Sequence, residues 1–549
     1  MNRSTALRLA RIATAEARRA TKGLRKPGFP RLYYLSYLIR DLDLYEVEAR
    51  YGSIYRDERY QNRNCLADAR VGNYRRDQVT DGGLFDNSKD DESHGYVDLP
   101  ISNRSEPLKI GLWRLTDAKY REAEEAYMRK CAHELTYLDT SDHLGAWQKC
   151  PTIDDRGRAD LPPIDSDYWS AYVEKASAAM LEFPRVRNSH VELKVRHQTN
   201  LFVNTDGSIA IESHAFWQLE AYLWFLSKKG DGIPWTVSHF TPDPDQLPDL
   251  KSFRREIRNA ARLLEKIAAA PQIHSYSGPV LLEPVSAGLL IHEALGHRLE
   301  GNRLRATGEA KTFADSLGDK VLPEFLTLHD DPTQEFWTDA DGQQHGLVGH
   351  YRFDDEGTPA SDARLIEQGK LTGFLTGRVP VVKKHRSNGH SRSRRHERSM
   401  SRMGVTVLET SDAQDEKAMR QQLIDLVQQQ GLPYGIRILD ATGGETATDA
   451  YDFQAFLGDV NLASRVFPDG REELVRGVNF IGTPLNAIHG IIAAGNRPGL
   501  DNAWCGAESG FVPVSTISPS LLVRHLELQS KSDTPYTQYC YPMPGEKRS

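Results

Sequence analysis

The chain reads as an α+β protein of two domains, with large antiparallel β-sheets expected in its C-terminal part. Three observations lead to this class. At 549 residues the chain is too long for one hydrophobic core. Residues 186–199, 201–204 and 209–215 alternate apolar and polar positions around Asp206-Gly207, which is a hairpin signal. Residues 118–138, 249–270 and 417–431 repeat their apolar positions at the helical period instead. A hydrophobic content of 39% and a charged content of 26% fit a globular chain. No run of eighteen apolar residues is present, so no membrane-spanning helix is expected.

Taken in order, residues 1–30 form a basic extension with many Arg, a single acid at Glu16 and no apolar core of the kind a secretory signal carries. An organellar transit peptide shares this composition, but a poorly ordered extension or a short surface helix is the preferred reading. Pro27-Gly28-Phe29-Pro30 ends it. The first domain spans 31–270. In it, residues 32–42 are apolar enough for a core-packed helix, and 47–59 and 66–71 read as strands. Residues 82–100 are acidic and rich in Asn, Ser and Gly, which predicts a loop, and 150–165 reads as an exposed connection. Helices are expected over 118–138, 168–182 and 249–270, the last with Arg/Glu pairs on its outer face. Pro271 marks the boundary to the second domain, 271–549. There a strand at 280–282 precedes Pro284, which suits the first turn of a helix because its missing N–H has no partner to lose. Strand patterns follow at 346–353, 363–366, 371–376, 474–480, 488–494 and 512–516, with one amphipathic helix over 417–431 closed by its glycine.

The chemistry concentrates at residues 291–301, which read I-H-E-A-L-G-H-R-L-E-G. His292 and His297 are good ligands for a divalent metal such as zinc. Glu293, beside the first of them, can take a proton from a water that the metal activates. Peptidase helices of this kind usually space the two His four apart. Here the spacing is five, which on a regular helix turns the second ring about 140° from the first. Both reach one ion only if the helix ends or widens into a π-turn between them, and Gly296 is the residue that tolerates such a break. A helix carrying two hydrogen-bonded, partly buried His is the plain structural alternative.

This stretch resembles the HExxxH motif of the TldD/PmbA family of zinc peptidases, in its metal-bearing TldD-like branch. The resemblance continues through F-D-D-E-G-T-P-A at 353–360, L-I-E-Q-G-K-L-T-G at 365–373, the Ser-Asn-Gly-His of 387–390, D-N-A-W-C-G at 501–506 and V-P-V at 512–514. It is strong over 280–528 and weaker over 31–270. It implies the family's fold, and it implies Cys505 as the third zinc ligand. Three protein ligands leave one tetrahedral position for water or substrate, the pattern of a catalytic site. Glu293 is then the general base. Glu300 lies three residues past His297 and has no assigned role in the chemistry, although it could orient a ligand. The chain departs from the family at Ser399-Met-Ser-Arg-Met403, where relatives carry Pro in place of Ser401, and by an insertion over 333–345.

The expected activity is zinc-dependent hydrolysis of peptide bonds in unstructured peptides or unfolded protein segments. The rival class is a non-catalytic binding or modulator subunit of a TldD/PmbA-like complex. The resemblance also implies a dimer, either of this chain or with a related subunit. Five cysteines over this length make no disulfide framework and point to a reducing, cytoplasmic compartment. A net charge of −7 gives no general attraction to nucleic acid. The basic stretch 383–402, with eight Lys and Arg against Glu397, reads as a solvated loop or as a cleft wall that holds peptide carboxylates or carbonyls, with nucleic-acid contact ranked last.

Overall fold

Long antiparallel hairpins dominate the first half of the protein. The computed structural model describes residues 1–549 except 26, 80–95, 137–143, 158–160, 229, 274, 306–312, 384, 395–396, 447–455, 483, 531–540 and 542–549. Strands Leu32–Arg50, Ser53–Val71, Val186–Asn204 and Ile209–Leu226 form the centre of a seven-stranded sheet. Gly232–Thr241 pairs with the last of them along its whole length. The hairpin at Asp206-Gly207 forms as the sequence predicts, with Gly207 at φ +100°.

The helix expected over residues 32–42 is a strand instead. Its apolar residues do not alternate because both faces are covered. Leu35, Tyr37 and Ile39 face the helices, whereas Leu38 packs with Phe202, Ala210 and Phe353 on the opposite side. The turn that ends it, Tyr51-Gly52, places Tyr51 at φ 51°, a conformation no tyrosine advertises in sequence.

Four helices cover one face of this sheet. Arg3–Gly23 is a packed helix of 21 residues rather than a poorly ordered extension or a short surface helix. Ala6, Ala10, Ala13, Ala17 and Ala20 are buried on one side of it, small enough to bring the helix close to Tyr37 and Val203. Ser105–Thr136 begins earlier than its pattern suggests. Ser166–Ser177 and Leu250–Ala269 start on the Asp165 and Asp249 side chains, each accepting a backbone N–H of the first turn.

The C-terminal part contains two larger sheets. One has six strands in the order Lys370–Leu371, Ala363–Glu367, Leu326–Asp330, Val405–Thr410, Gly510–Ser518 and Gly499–Ala507. The other has eight, including Ser275–Leu282, Gly435–Thr446, Phe456–Val466 and Leu521–Ser530. Both are mostly antiparallel, as expected. The predicted strand over 474–480 is two strands, Glu472–Val475 and Val478–Gly482, split at Gly477 with φ +91°. Of the strand expected over 346–353, only Gly346 is in a strand, at the end of the short hairpin Phe336–Thr338 and Gln344–Gly346 that occupies the insertion. The run at 371–376 is a strand only at its start, in Lys370–Leu371, with an isolated bridge from Leu375 to Glu300, and 488–494 begins inside a helix, Pro484–His489. Helix Glu416–Gln429 forms as predicted, with Gly431 left-handed at φ +64° behind it.

Between these two sheets runs the helix Pro284–Ile291, with its proline in the first turn as predicted. Leu290, Ile291, Ala294 and Leu295 are buried against Leu328 and Val514 of one sheet and Ile438, Val460 and Phe480 of the other. Each such apolar side chain contributes about 1.5–3 kcal/mol of burial, so the backbone carrying the His pair is held from both sides. No helix among the described residues is long and apolar enough to cross a membrane.

The free face of the N-terminal sheet packs on the C-terminal part. Polar contacts there include Arg40 to Asp355 at 2.7 Å, Arg352 to Asp155 at 2.6 Å and Arg378 to Asp206 at 3.3 Å. Much of residues 82–100, read as a loop, and Lys384, Arg395 and Cys540 lie outside the described residues.

Candidate metal centre

The helix widens where the five-residue spacing demands it. His292–Gly296 is a π-turn following directly on Ile291, and His297–Leu299 tightens into a 3₁₀ turn. The wider turn returns i and i+5 to one face, so the two rings lie with centroids 5.1 Å apart at 89°. Gly296 does not act through backbone freedom, since its φ of −50° is ordinary. It is needed for space: an added Cβ would lie 2.9 Å from Met403 Cε and closer still to Met403 Sδ. The loosened turn leaves carbonyls to satisfy, and Arg298 Nη1 donates to Glu293 O at 3.0 Å and Ala294 O at 3.2 Å. Burial, reinforced by Arg303 nearby, lowers the Arg298 pKa to about 10.

Cys505 reaches the same point from strand Gly499–Ala507, more than two hundred residues away. His292 Nε2 lies 3.1 Å from Cys505 Sγ, and His297 Nε2 lies 3.4 Å from it. The three ligand atoms are all within 4.8 Å of one another, and all three residues are buried. An ion about 2.3 Å from sulfur and about 2.0 Å from nitrogen, in tetrahedral geometry, holds those atoms about 3.5 Å apart, so the donor set fits a single zinc-sized ion. Burial opposes a charged thiolate, but His297, His292 and Arg402 outweigh it and hold Cys505 well below the ordinary thiol range. Burial is likewise outweighed at His297, where Cys505 and Glu300 raise the pKa to about 10.

The surrounding polar shell is dense. Glu300, fully buried, accepts from His297 Nδ1 at 3.0 Å and from Arg303 Nη2 at 2.6 Å. With Nδ1 engaged, His297 presents Nε2 to the metal position. Arg402 Nη2 donates to Cys505 O at 2.6 Å and Sγ at 3.1 Å, and its Nε lies 3.3 Å from Glu300 Oε1. Arg303 also reaches Glu508 at 2.9 Å. Glu293 is buried at 5% exposure, with Gly444 against its side chain. Asp501, two residues along the strand from Ala503 and four from Cys505, shares their face. Burial raises its pKa, opposed by His292 and supported by Asp440.

All four residues singled out in sequence are therefore brought together: His292, His297 and Cys505 on one point, and Glu293 on the same turn. Sequence reasoning gave no individual part to Arg402, which entered only as one charge of the basic stretch, and it missed Asp440. Neither carries a local signal, because strand pairing and sheet packing bring both to the site.

These features define a class: an α+β scaffold of large antiparallel sheets holding a buried His-His-Cys donor set for one divalent metal. Residues 275–530 match the family model of the PmbA/TldA metallopeptidase C-terminal domain, so the C-terminal part of the chain is a domain of that family. A metalloprotease of Synechocystis sp. is 29% identical over 201 residues, covering 36% of this chain and 40% of the relative. A zinc metalloprotease TldD homolog of Saccharolobus solfataricus is 25% identical over 252 residues, covering 46% of this chain and 51% of the relative. These matches span about half or less of the relatives' own lengths. In fold, the chain is similar to TldE of Thermococcus kodakarensis, with a TM-score of 0.61 at 14% identity over 91% of this chain and 97% of that one.

Proposed function

We propose that the protein is a zinc-dependent metallopeptidase that hydrolyses peptide bonds in unstructured peptides or unfolded protein segments. The observation that carries this reading is the convergence of His292, His297 and Cys505 beside Glu293 on one buried turn. Two imidazoles and a thiolate suit zinc better than a hard, oxygen-seeking cation, and the name of the Saccharolobus relative points the same way.

Zinc held there would supply Lewis acidity, polarising the scissile carbonyl and making a water easier to deprotonate. The chain's own residues do the rest. Glu293 takes the proton from the attacking water and returns it to the leaving amide nitrogen. Glu300 fixes the His297 ring through Nδ1, and Arg402 favours the charged form of Cys505 by donating to its Sγ. Burial of the site between two sheets is the feature that favours an extended chain over a folded protein as substrate.

The test is Glu293→Gln. It should keep zinc, because Glu293 is not in the donor set, and lose cleavage of a disordered protein by about two orders of magnitude or more. Full activity removes Glu293 from the mechanism, and intact cleavage of a compact folded protein at the same rate contradicts the substrate class. The dimer, with itself or with a related subunit, is part of this proposal, and light scattering of the pure protein tests it. The rival non-catalytic subunit would show no zinc after purification without chelator.

A further inference from the structure

A cavity of about 230 Å³ lies between the N-terminal sheet and the C-terminal part. Four arginines line it; Arg40 is paired with Asp355, and the other three reach it from two segments. Arg196 comes from strand Val186–Asn204, Arg392 from the short strand Ser391–Arg392, and Arg394 from the loop that follows. Each guanidinium is set against an aromatic ring: Arg196 over Trp504 at 5.0 Å, Arg392 over Tyr351 at 4.7 Å and Arg394 over Phe511 at 5.7 Å. A guanidinium on a ring face keeps its in-plane N–H fork available for a bidentate anion.

None of the three has a carboxylate within ion-pair distance among the described residues; Glu397 lies beside Arg394 next to Gly510, and the other acids around them are committed elsewhere. Asp355 accepts from Arg40 at 2.7 Å and from Ser393 N at 2.6 Å. Asp354 accepts the backbone N–H groups of Thr358 at 2.8 Å and Ser391 at 3.1 Å, and burial together with Glu356 pushes its carboxyl well above the ordinary carboxylate range. Glu46, the acid acting on Arg196, lies 3.5 Å from Arg56. Asp330, which acts on Arg392, is held by His390 at 3.1 Å. Arg392 is only 8% exposed and its Nη1 donates to Met403 O at 2.6 Å, but no carboxylate balances its charge, which is costly. These three guanidinium groups, one buried, one half-buried and one exposed, face one space.

We infer that this cavity is an anchoring subsite for a carboxylate of the peptide substrate, either an acidic side chain or the C-terminal carboxylate, gripped by Arg196 and Arg394 with Arg392 behind. The assignment of a peptide as the ligand rests on the metallopeptidase reading. Its volume admits roughly one or two residues. Side chains alternate along strand Gly499–Ala507, so Trp504 faces the cavity while Cys505 faces the His pair. That strand is the last in its sheet. A peptide anchored on one face passes the strand's edge to reach Glu293, and at about 3.3 Å per residue across a layer spacing of about 10 Å the anchor falls roughly three to five residues from the cleaved bond.

The test uses the full chain carrying Glu293→Gln, so that nothing is cut, and measures binding of three fluorescein-labelled peptides of one length by anisotropy. One has a single Glu and a C-terminal amide, one has Gln and a free C-terminal carboxylate, and one has Gln and the amide. The expected result is at least tenfold tighter binding of one or both charged peptides, the stronger of the two naming the source of the carboxylate. Adding Arg196→Gln should abolish the difference while leaving the neutral peptide's affinity unchanged. Arg394→Gln, on the exposed rim, carries the same test should Arg196→Gln fail to fold. Equal affinity for all three peptides, or a preference that survives both substitutions, overturns the inference. Zinc content and cleavage by the Glu293-bearing chain are measured separately, so a failure of the metallopeptidase reading is distinguishable from a failure of the anchor.

Discussion

Gly444→Ala perturbs the proposed base without touching a ligand. Gly443 and Gly444 lie at an irregularity of strand Gly435–Thr446, with Gly443 left-handed at φ +66°, and this kink brings the Gly444 backbone against Glu293. A Cβ there would lie 2.6 Å from Glu293 Oε1, 2.7 Å from Cδ and closer still to Cγ. Ordinary contact begins near 3.4 Å, so the carboxyl group must retreat by about 1 Å or the strand must move. Overpacking of this kind costs about 1–3 kcal/mol of stability. A displacement of about 1 Å in a group that must meet the attacking water costs about a hundredfold in rate. The expected outcome is zinc content unchanged by elemental analysis, a modestly lower Tm, and kcat on a disordered protein reduced about a hundredfold. Unchanged kcat would show that the Glu293 carboxyl does not need its present position, and loss of zinc would show that the Gly444 contact supports the ligands instead.

Three further outcomes follow from other contacts. Glu300→Gln removes the charge that His297, Arg303 and Arg402 share, and zinc affinity in a competition titration with a chelator should fall about 10–100-fold; an unchanged affinity would deny Glu300 its orienting part. Arg298→Met leaves the carbonyls of Glu293 and Ala294 short of a charged donor and should cost about 1.5–3 kcal/mol in a denaturant titration, against near neutrality if the π-turn needs no such support. Glu212, on the inner face of the N-terminal sheet, gives a pH signature. Burial works against its charge, but His214 and the Arg352 backbone and guanidinium outweigh this and lower its pKa from 4.5 to about 2. A depressed carboxylate stabilises the fold above its unfolded pKa, by about 3 kcal/mol here, and that contribution is lost as pH falls from about 4.5 towards 2. The Tm gap between the native chain and Glu212→Gln should therefore be widest above pH 5 and shrink below 4.5, and a constant gap would contradict the pairing with Arg352 across the two halves.

How much of this was legible in the sequence depends on where each signal resides. The five-residue spacing of His292 and His297 required either a break or a π-turn, and the π-turn is there, because that constraint is local and geometric. The role given to Gly296 was half right: a glycine is needed, but for Met403 rather than for its own dihedrals. Residues 32–42 misled because a strand covered on both faces loses the alternation that distinguishes it from a buried helix. The alanine face of Arg3–Gly23 was obscured by its arginines, which point away from the sheet. Cys505 had no local signal at all. Only its resemblance to a family motif singled it out, and the pairing of Gly499–Ala507 with Gly510–Ser518 is what carries it to the His pair. Arg402 and Asp440 were beyond reach for the same reason, with no motif to stand in for the fold.

The central claim is that His292, His297 and Cys505 together hold one zinc. The most direct measurement is zinc per chain, by elemental analysis, for the native protein and for single Ala substitutions of its cysteines. The native chain should carry one tightly bound zinc. Cys505→Ala should carry none, since two imidazoles alone hold the ion far more weakly. Cys65→Ala, Cys131→Ala and Cys150→Ala should match the native protein, because none of these three thiols belongs to the His-His-Cys group. A Cys505→Ala chain that retains one tightly bound zinc would contradict the ligand set and the function built on it.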